Sequence, residues 1–82
     1  MATLYTLTNK FGSARCEGKN AKGEKIIAAK RVCEFTGESF GLYVLCTNYS
    51  AGKMIKTWRV MEKYQKITRE QAIDAFEKLN RA

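Results

Sequence analysis

Lys53, Lys56, Trp58, Arg59, Lys63, Tyr64 and Lys66 crowd into one short stretch late in this 82-residue chain, and Tyr49 lies just upstream across a glycine-containing break. Bases at that density hold phosphate oxygens, and aromatic rings set among them stack on unpaired nucleobases. The pattern points to nucleic-acid binding, with Lys53, Lys56, Arg59, Lys63 and Lys66 on phosphates and Trp58 and Tyr49 as stacking platforms. Lys19 and Lys22, inside Gly18-Lys-Asn-Ala-Lys-Gly23, offer a second contact to a backbone, or a merely solvated loop. A lone tryptophan in so small a domain more often packs in the core than meets a ligand. Lys56 argues against that here: it shares a strand face with Trp58, and a core face rejects a mid-strand lysine unless its stem snorkels out.

Other chemistry finds little support. Histidine is absent, which removes the commonest general base and metal ligand at neutral pH. Cys16, Cys33 and Cys46 stand too far apart in sequence for a zinc site, and a fourth ligand is missing. The run from Gly12 to Asn20 resembles a phosphate loop but has one residue too many between its glycines. Asn also follows its lysine where Ser or Thr is required. Glu17, Glu34 and Glu38 are surface acids among bases rather than an acid–base pair. The expectation is a non-enzymatic protein with no cofactor and no metal.

The chain carries 15 Lys and Arg against 8 Asp and Glu, a net charge of +7. Seven bases and two acids lie in residues 1–33, and six bases and one acid in residues 53–69. Such a field favours nucleic acid, or an acidic protein or nucleoprotein surface, although charge also serves plain solubility. Apolar residues make up 45% of the chain, enough for one modest core and too little for a second lobe. The odd cysteine count, without C-x-x-C spacing or a secretory signal, suits thiols in a reducing cytoplasm. No apolar run is long enough to span a membrane. The sequon Asn48-Tyr49-Ser50 is read as a chance match.

The elements that must position these residues follow from periodicity. Thr3–Thr8 alternates as a strand, and Asn9-Lys10-Phe11-Gly12-Ser13 breaks it. Ala14–Glu17 reads as a second short strand and residues 18–23 as an exposed basic hairpin loop. Residues 24–35 fit a strand or a helix face, with the strand favoured by the preceding loop. Residues 39–49 form the clearest strand, apolar on both sides and so expected to be covered on both. Ser50-Ala51-Gly52 marks a hairpin, and Lys53–Lys63 returns with Met54, Lys56, Trp58 and Val60 on one face. Thr68 and Gln71 make a capping box for a helix whose stripe is Ala72, Ile73, Phe76 and Leu79, with Ile67 stapling onto Ala72. Asp74–Lys78 and Glu77–Arg81 support it at i, i+4. The expected fold is α+β, one domain over residues 1–82: a small antiparallel sheet of four or five strands with the C-terminal helix on one face. An edge strand such as residues 3–8 is open to pairing with a second copy, giving a homodimer.

Two segments, Leu7-Thr-Asn-Lys-Phe11 and Ile67-Thr-Arg-Glu-Gln-Ala72 following the hairpin, resemble small accessory proteins of phages and mobile elements. The resemblance covers about a quarter of the chain and carries no active residue across. It implies a stand-alone protein that acts by binding. One alternative to nucleic acid is therefore a phage-type inhibitor docking on a host protein or a CRISPR-like defence nucleoprotein complex, where the same bases meet acidic side chains.

Overall fold

Ala51 and Gly52 both take positive φ, 51° and 75°, as the two central residues of a type I′ hairpin turn must. They join β4 (Gly37–Ser50) to β5 (Lys53–Val60) in the computed structural model, which describes residues 2–9, 12 and 14–80. Ahead of them come β1 (Ala2–Thr6), β2 (Glu17–Lys19) and β3 (Lys25–Cys33). After β5 come a 3-10 helix (Glu62–Tyr64) and α1 (Arg69–Leu79). Every strand pairing is antiparallel. The sheet runs β1-β3-β4-β5, with β2 sharing β1's edge of β3: β1 lies against Ala29–Cys33 and β2 against Lys25–Ile27. The α+β expectation holds, with five strands and one C-terminal α-helix among the described residues.

Strand alternation divides the sheet into two faces. One carries Ile26 and Ala28 from β3 and Phe40, Leu42 and Val44 from β4, and α1 closes over it with Ala72, Ile73, Ala75 and Phe76. Ile26, Leu42 and Ile73 are fully buried there, and complete burial of such a side chain stabilises by about 1.5–3 kcal/mol. The capping box forms as expected. Thr68 Oγ1 accepts from the Gln71 backbone N–H at 3.1 Å, and Gln71 Oε1 accepts from the Thr68 N–H at 3.1 Å. At the other end Asn80 Oδ1 accepts from the Lys19 N–H at 3.2 Å and ties the helix to β2. Gly18 leaves the room for this, since a Cβ there would collide with the Asn80 side chain.

Gly41 sets the path from sheet to helix. Met61 N–H donates to the Leu42 carbonyl at 2.8 Å, and Ile67 N–H to the Phe40 carbonyl at 3.1 Å. Between these two anchors, residues 62–66 loop out past Gly41. A Cβ on Gly41 would lie 2.5 Å from the Tyr64 carbonyl oxygen. The loop ends at Lys66, held in the left-handed region at φ 53°.

Several expected boundaries move. β5 ends at Val60 rather than Lys63: after Met61 the chain loops out over residues 62–66 and returns to β4 at Ile67. β1 ends at Thr6; Thr8 then makes only an isolated bridge to Arg15, and the second strand starts at Glu17. Gly18 and Lys19 belong to β2, so the basic loop is shorter than residues 18–23. Asn20 closes it, its Oδ1 accepting from the N–H groups of Lys22 and Glu24, both at 3.0 Å. Residues 25–33 are strand. Leu42 and Tyr43 are both buried on opposite faces of β4, but the helix covers only Leu42's side. Lys10, Phe11 and Ser13 of the first turn, and Arg81 of the last helical pair, lie outside the described residues.

Replacing Gly41 with alanine is expected to destabilise the protein by about 1–3 kcal/mol, the usual cost of overpacking, read as a lower midpoint in urea. A loss below about 0.5 kcal/mol, the scale of a neutral surface change, would show that the 62–66 loop shifts aside freely.

Candidate functional site

Among the described residues no α-helix lies over the sheet face away from α1. β3 places Lys25, Ile27, Ala29 and Arg31 there, β4 places Tyr43, Leu45, Thr47 and Tyr49, and β5 places Met54, Lys56, Trp58 and Val60. Leu4 of β1 and Lys19 of β2 complete it through their register with Arg31 and Lys25. Ile27, Ala29 and Tyr43 bury one another with help from Leu4, which gives this face a shallow apolar floor. Burial pushes the Tyr43 phenol above its ordinary range, with the Arg31 charge opposing.

Trp58 stands up from that floor at 37% exposure. It walls two hollows. One, of about 280 Å³, also has Leu4, Ile27, Lys25 and the acid Glu17 in its lining. The other, of about 310 Å³, has Arg31, Tyr43, Val60 and Lys66. Each hollow thus combines an apolar wall, the indole and at least one cation. Lys66 reaches the second hollow because the excursion past Gly41 carries it round to this face.

The open face is also basic. The strand positions of the open face hold Lys19, Lys25, Arg31 and Lys56, against Glu17 as the only acid among the described residues. Glu17 is held by Arg15, Nε to Oε1 3.3 Å. Lys30, on the helix side, is instead engaged: its Nζ lies 3.6 Å from Glu38 Oε1 and 5.8 Å from the centre of the Tyr5 ring.

The residues expected from sequence divide between the two sides. Lys56, Trp58, Tyr49 and Lys19 share the open face, with Lys66 at its margin. Lys53 and Arg59 are exposed but alternate to the opposite side of β5. Lys63 borders a separate hollow beside α1, with Tyr64 and Gln71. Lys22 sits exposed in the β2–β3 turn. Lys25 and Arg31 were missed as candidates. Period-2 counting along residues 25–33 puts both with Ile27 on one face, but only once that segment is known to be a strand.

Two of the three thiols differ sharply. Cys16 is buried in the main core, and burial raises its pKa. Cys33, at the end of β3, accepts hydrogen bonds from the Thr36 hydroxyl and from the backbone N–H groups of Phe35 and Thr36, which lower its pKa to about 7. Among the described residues no three Cys, Asp or Glu side chains converge as a metal site, and no helix is long and apolar enough to cross a membrane.

Because folding favours the Cys33 thiolate, its alkylation by iodoacetamide is expected to rise with pH through a midpoint near 7, with Cys16 protected until the protein unfolds. The stability linked to this thiolate is present above the unfolded-state pKa and is lost as pH falls through about 7. Thr36→Val removes the leading donor and should move the midpoint upward. An unmoved midpoint, followed by mass spectrometry of the Cys33 peptide, would refute that assignment.

Comparison of the chain with protein-family models, with curated proteins and with solved structures gives no match, so its function is read from the chemistry of the open face itself.

Proposed function

We propose that the open sheet face is a nucleic-acid-binding surface and that the protein acts by binding rather than by catalysis. The observation that carries this reading is Trp58, half-exposed between two hollows that each hold a cation. A buried structural tryptophan does not need such surroundings. A stacking platform does: an exposed ring takes the face of a base while Lys25, Lys56, Arg31 and Lys66 hold the flanking phosphates. The aromatic signal favours unpaired bases over a duplex, whose bases are already stacked.

A second reading keeps a specific observation on its side. Tyr49, Met54 and Ile55 are exposed along the β4–β5 hairpin, and apolar side chains of that size also suit a protein partner. With the resemblance to phage accessory proteins, this supports an inhibitor that docks on an acidic host protein or a defence nucleoprotein complex.

Fluorescence anisotropy of labelled single-stranded DNA, single-stranded RNA and duplex DNA, at low and near-physiological salt, separates the two. Binding of the single strands should persist at physiological salt and quench Trp58. Trp58→Ala should weaken it by about 1–3 kcal/mol, the cost of one lost stack. The pair Arg31→Ala with Lys56→Ala should flatten the salt dependence by about 1.4 in log–log slope for a single strand. Arg59→Ala, on the other side of the same strand, should change affinity by less than about twofold, within the ±0.5 kcal/mol of neutral surface changes. Loss of all binding at physiological salt in the unaltered protein would discard the nucleic-acid reading and leave the protein-docking one, to be pursued by pull-down from host lysate after nuclease treatment.

A further inference from the structure

We propose that β5 is a dimerisation edge, on which a second copy of this chain pairs its own β5 antiparallel to form one continuous sheet. β5 ends the strand order. All eight of its residues are exposed, and its large apolar side chains include Met54 at 61% and Ile55 at 45% exposure. β1, the edge expected from sequence, is shorter at five residues.

Two features of β5 specify how the pairing runs. The first is which backbone groups are free. In a two-residue hairpin the pair that closes the turn is hydrogen-bonded, and bonded pairs alternate from there. The closing pair is Ser50 with Lys53, so Lys53, Ile55, Thr57 and Arg59 bond inward to β4. The Met61 N–H, donated to Leu42 on the same parity, confirms that phase. Met54, Lys56, Trp58 and Val60 therefore turn their N–H and C=O groups outward. A single two-fold register engages all four, centred on Thr57: Lys56 pairs with Trp58 of the second copy, and Met54 with Val60 of the second copy.

The second feature is side-chain complementarity in that same register. Directly across the junction, every charge on β5 between the paired ends meets an uncharged residue. Lys56 lies beside the indole of the other copy, Arg59 beside Ile55, and Thr57 beside Thr57. A shift by one register step either way is worse. One direction sets Lys56 against Lys56 and Lys53 against Arg59. The other leaves Met54 and its partner groups unpaired.

The pairing also supplies what the fold lacks. β3 is in register with β4 only as far as Val44, so the outer part of the hairpin is a two-stranded ribbon. Such a ribbon is marginal in water without a third strand, and β5 of the second copy provides one to each ribbon. The two open faces then merge, with each Trp58 flanked by a lysine of the other copy. This inference does not rest on nucleic-acid binding, and its test is made without nucleic acid.

Sedimentation equilibrium of the 9.3 kDa chain from about 1 µM to about 1 mM, the range of transient affinities, should show twice that mass at the upper end. Lys56→Pro blocks the free edge while sparing the inward ladder to β4. It should sediment as a monomer with its far-UV circular dichroism intact. Thr57→Cys, made with Cys46→Ser because Cys46 lies directly opposite Thr57 on β4, should form an intermolecular disulfide under mild oxidation. A monomer at every concentration, or a Lys56→Pro variant that still dimerises, would overturn the proposal. A Thr57→Cys protein that dimerises without crosslinking would overturn the register.

Discussion

The stripe Ala72, Ile73, Ala75 and Phe76 on α1 is the only α-helical surface available to cover the sheet among the described residues, and its width governs the rest. A helix is about 10 Å across and neighbouring strands about 4.8 Å apart, so one helix covers about two strands. The buried partners of α1 come from β3 and β4. β5 lies beyond that cover and is exposed on both sides. The opposite face of the sheet has no α-helix over it among the described residues, only the edge of the 62–66 loop at Gly41. The small core, the bare hairpin and the open face are three results of one shortage of helix.

An uncovered sheet face must still exclude water from its backbone. Here Ile27, Ala29, Tyr43 and Leu4 do so as a thin apolar floor. Gathering Lys19, Lys25, Arg31, Lys56 and Lys66 on one side works against stability through mutual repulsion. Lys66 adds backbone strain, since a non-glycine residue at φ 53° costs on the order of 1 kcal/mol or more. Glycine or asparagine would relieve that strain at this position.

Much of this was legible from residue pattern. The capping box Thr68–Gln71, the hairpin signal Ser50-Ala51-Gly52 and the alternation of Met54, Lys56, Trp58 and Val60 are local, and each formed as expected. The misplaced features depend on distant partners. Nothing near Lys63 says that β5 stops at Val60; the excursion that follows is permitted by Gly41, far back in the chain, and the room it leaves for the Tyr64 carbonyl. Residues 25–33 support two periodicities until β1, β2 and β4 claim their backbone groups, and so Lys25 and Arg31 could not be placed beside Trp58. Likewise Arg59 and Lys56 are indistinguishable as neighbours in sequence, and only the position of α1 decides which of the two faces is open.

The two proposals meet at Trp58. In the register centred on Thr57, the two Trp58 positions are diagonal neighbours across the junction, and such positions lie about 7–8 Å apart. That is about twice the 3.4 Å rise of stacked bases, so two parallel indoles at that spacing admit one base between them. A monomer offers a single stacking surface, with the other side of the base left to solvent. A dimer in the proposed register would offer a surface on each side of the base, with Lys56 of each copy beside the indole of the other. Dimerisation and stacking would then be linked in both directions: a bound base bridges the two copies, and pairing of the two β5 edges brings the two surfaces together. The resulting site has two-fold symmetry, so a strand crossing it meets the same cations entering and leaving, and polarity along the strand can be read only outside the junction, from the hollows lined by Lys25 and Arg31.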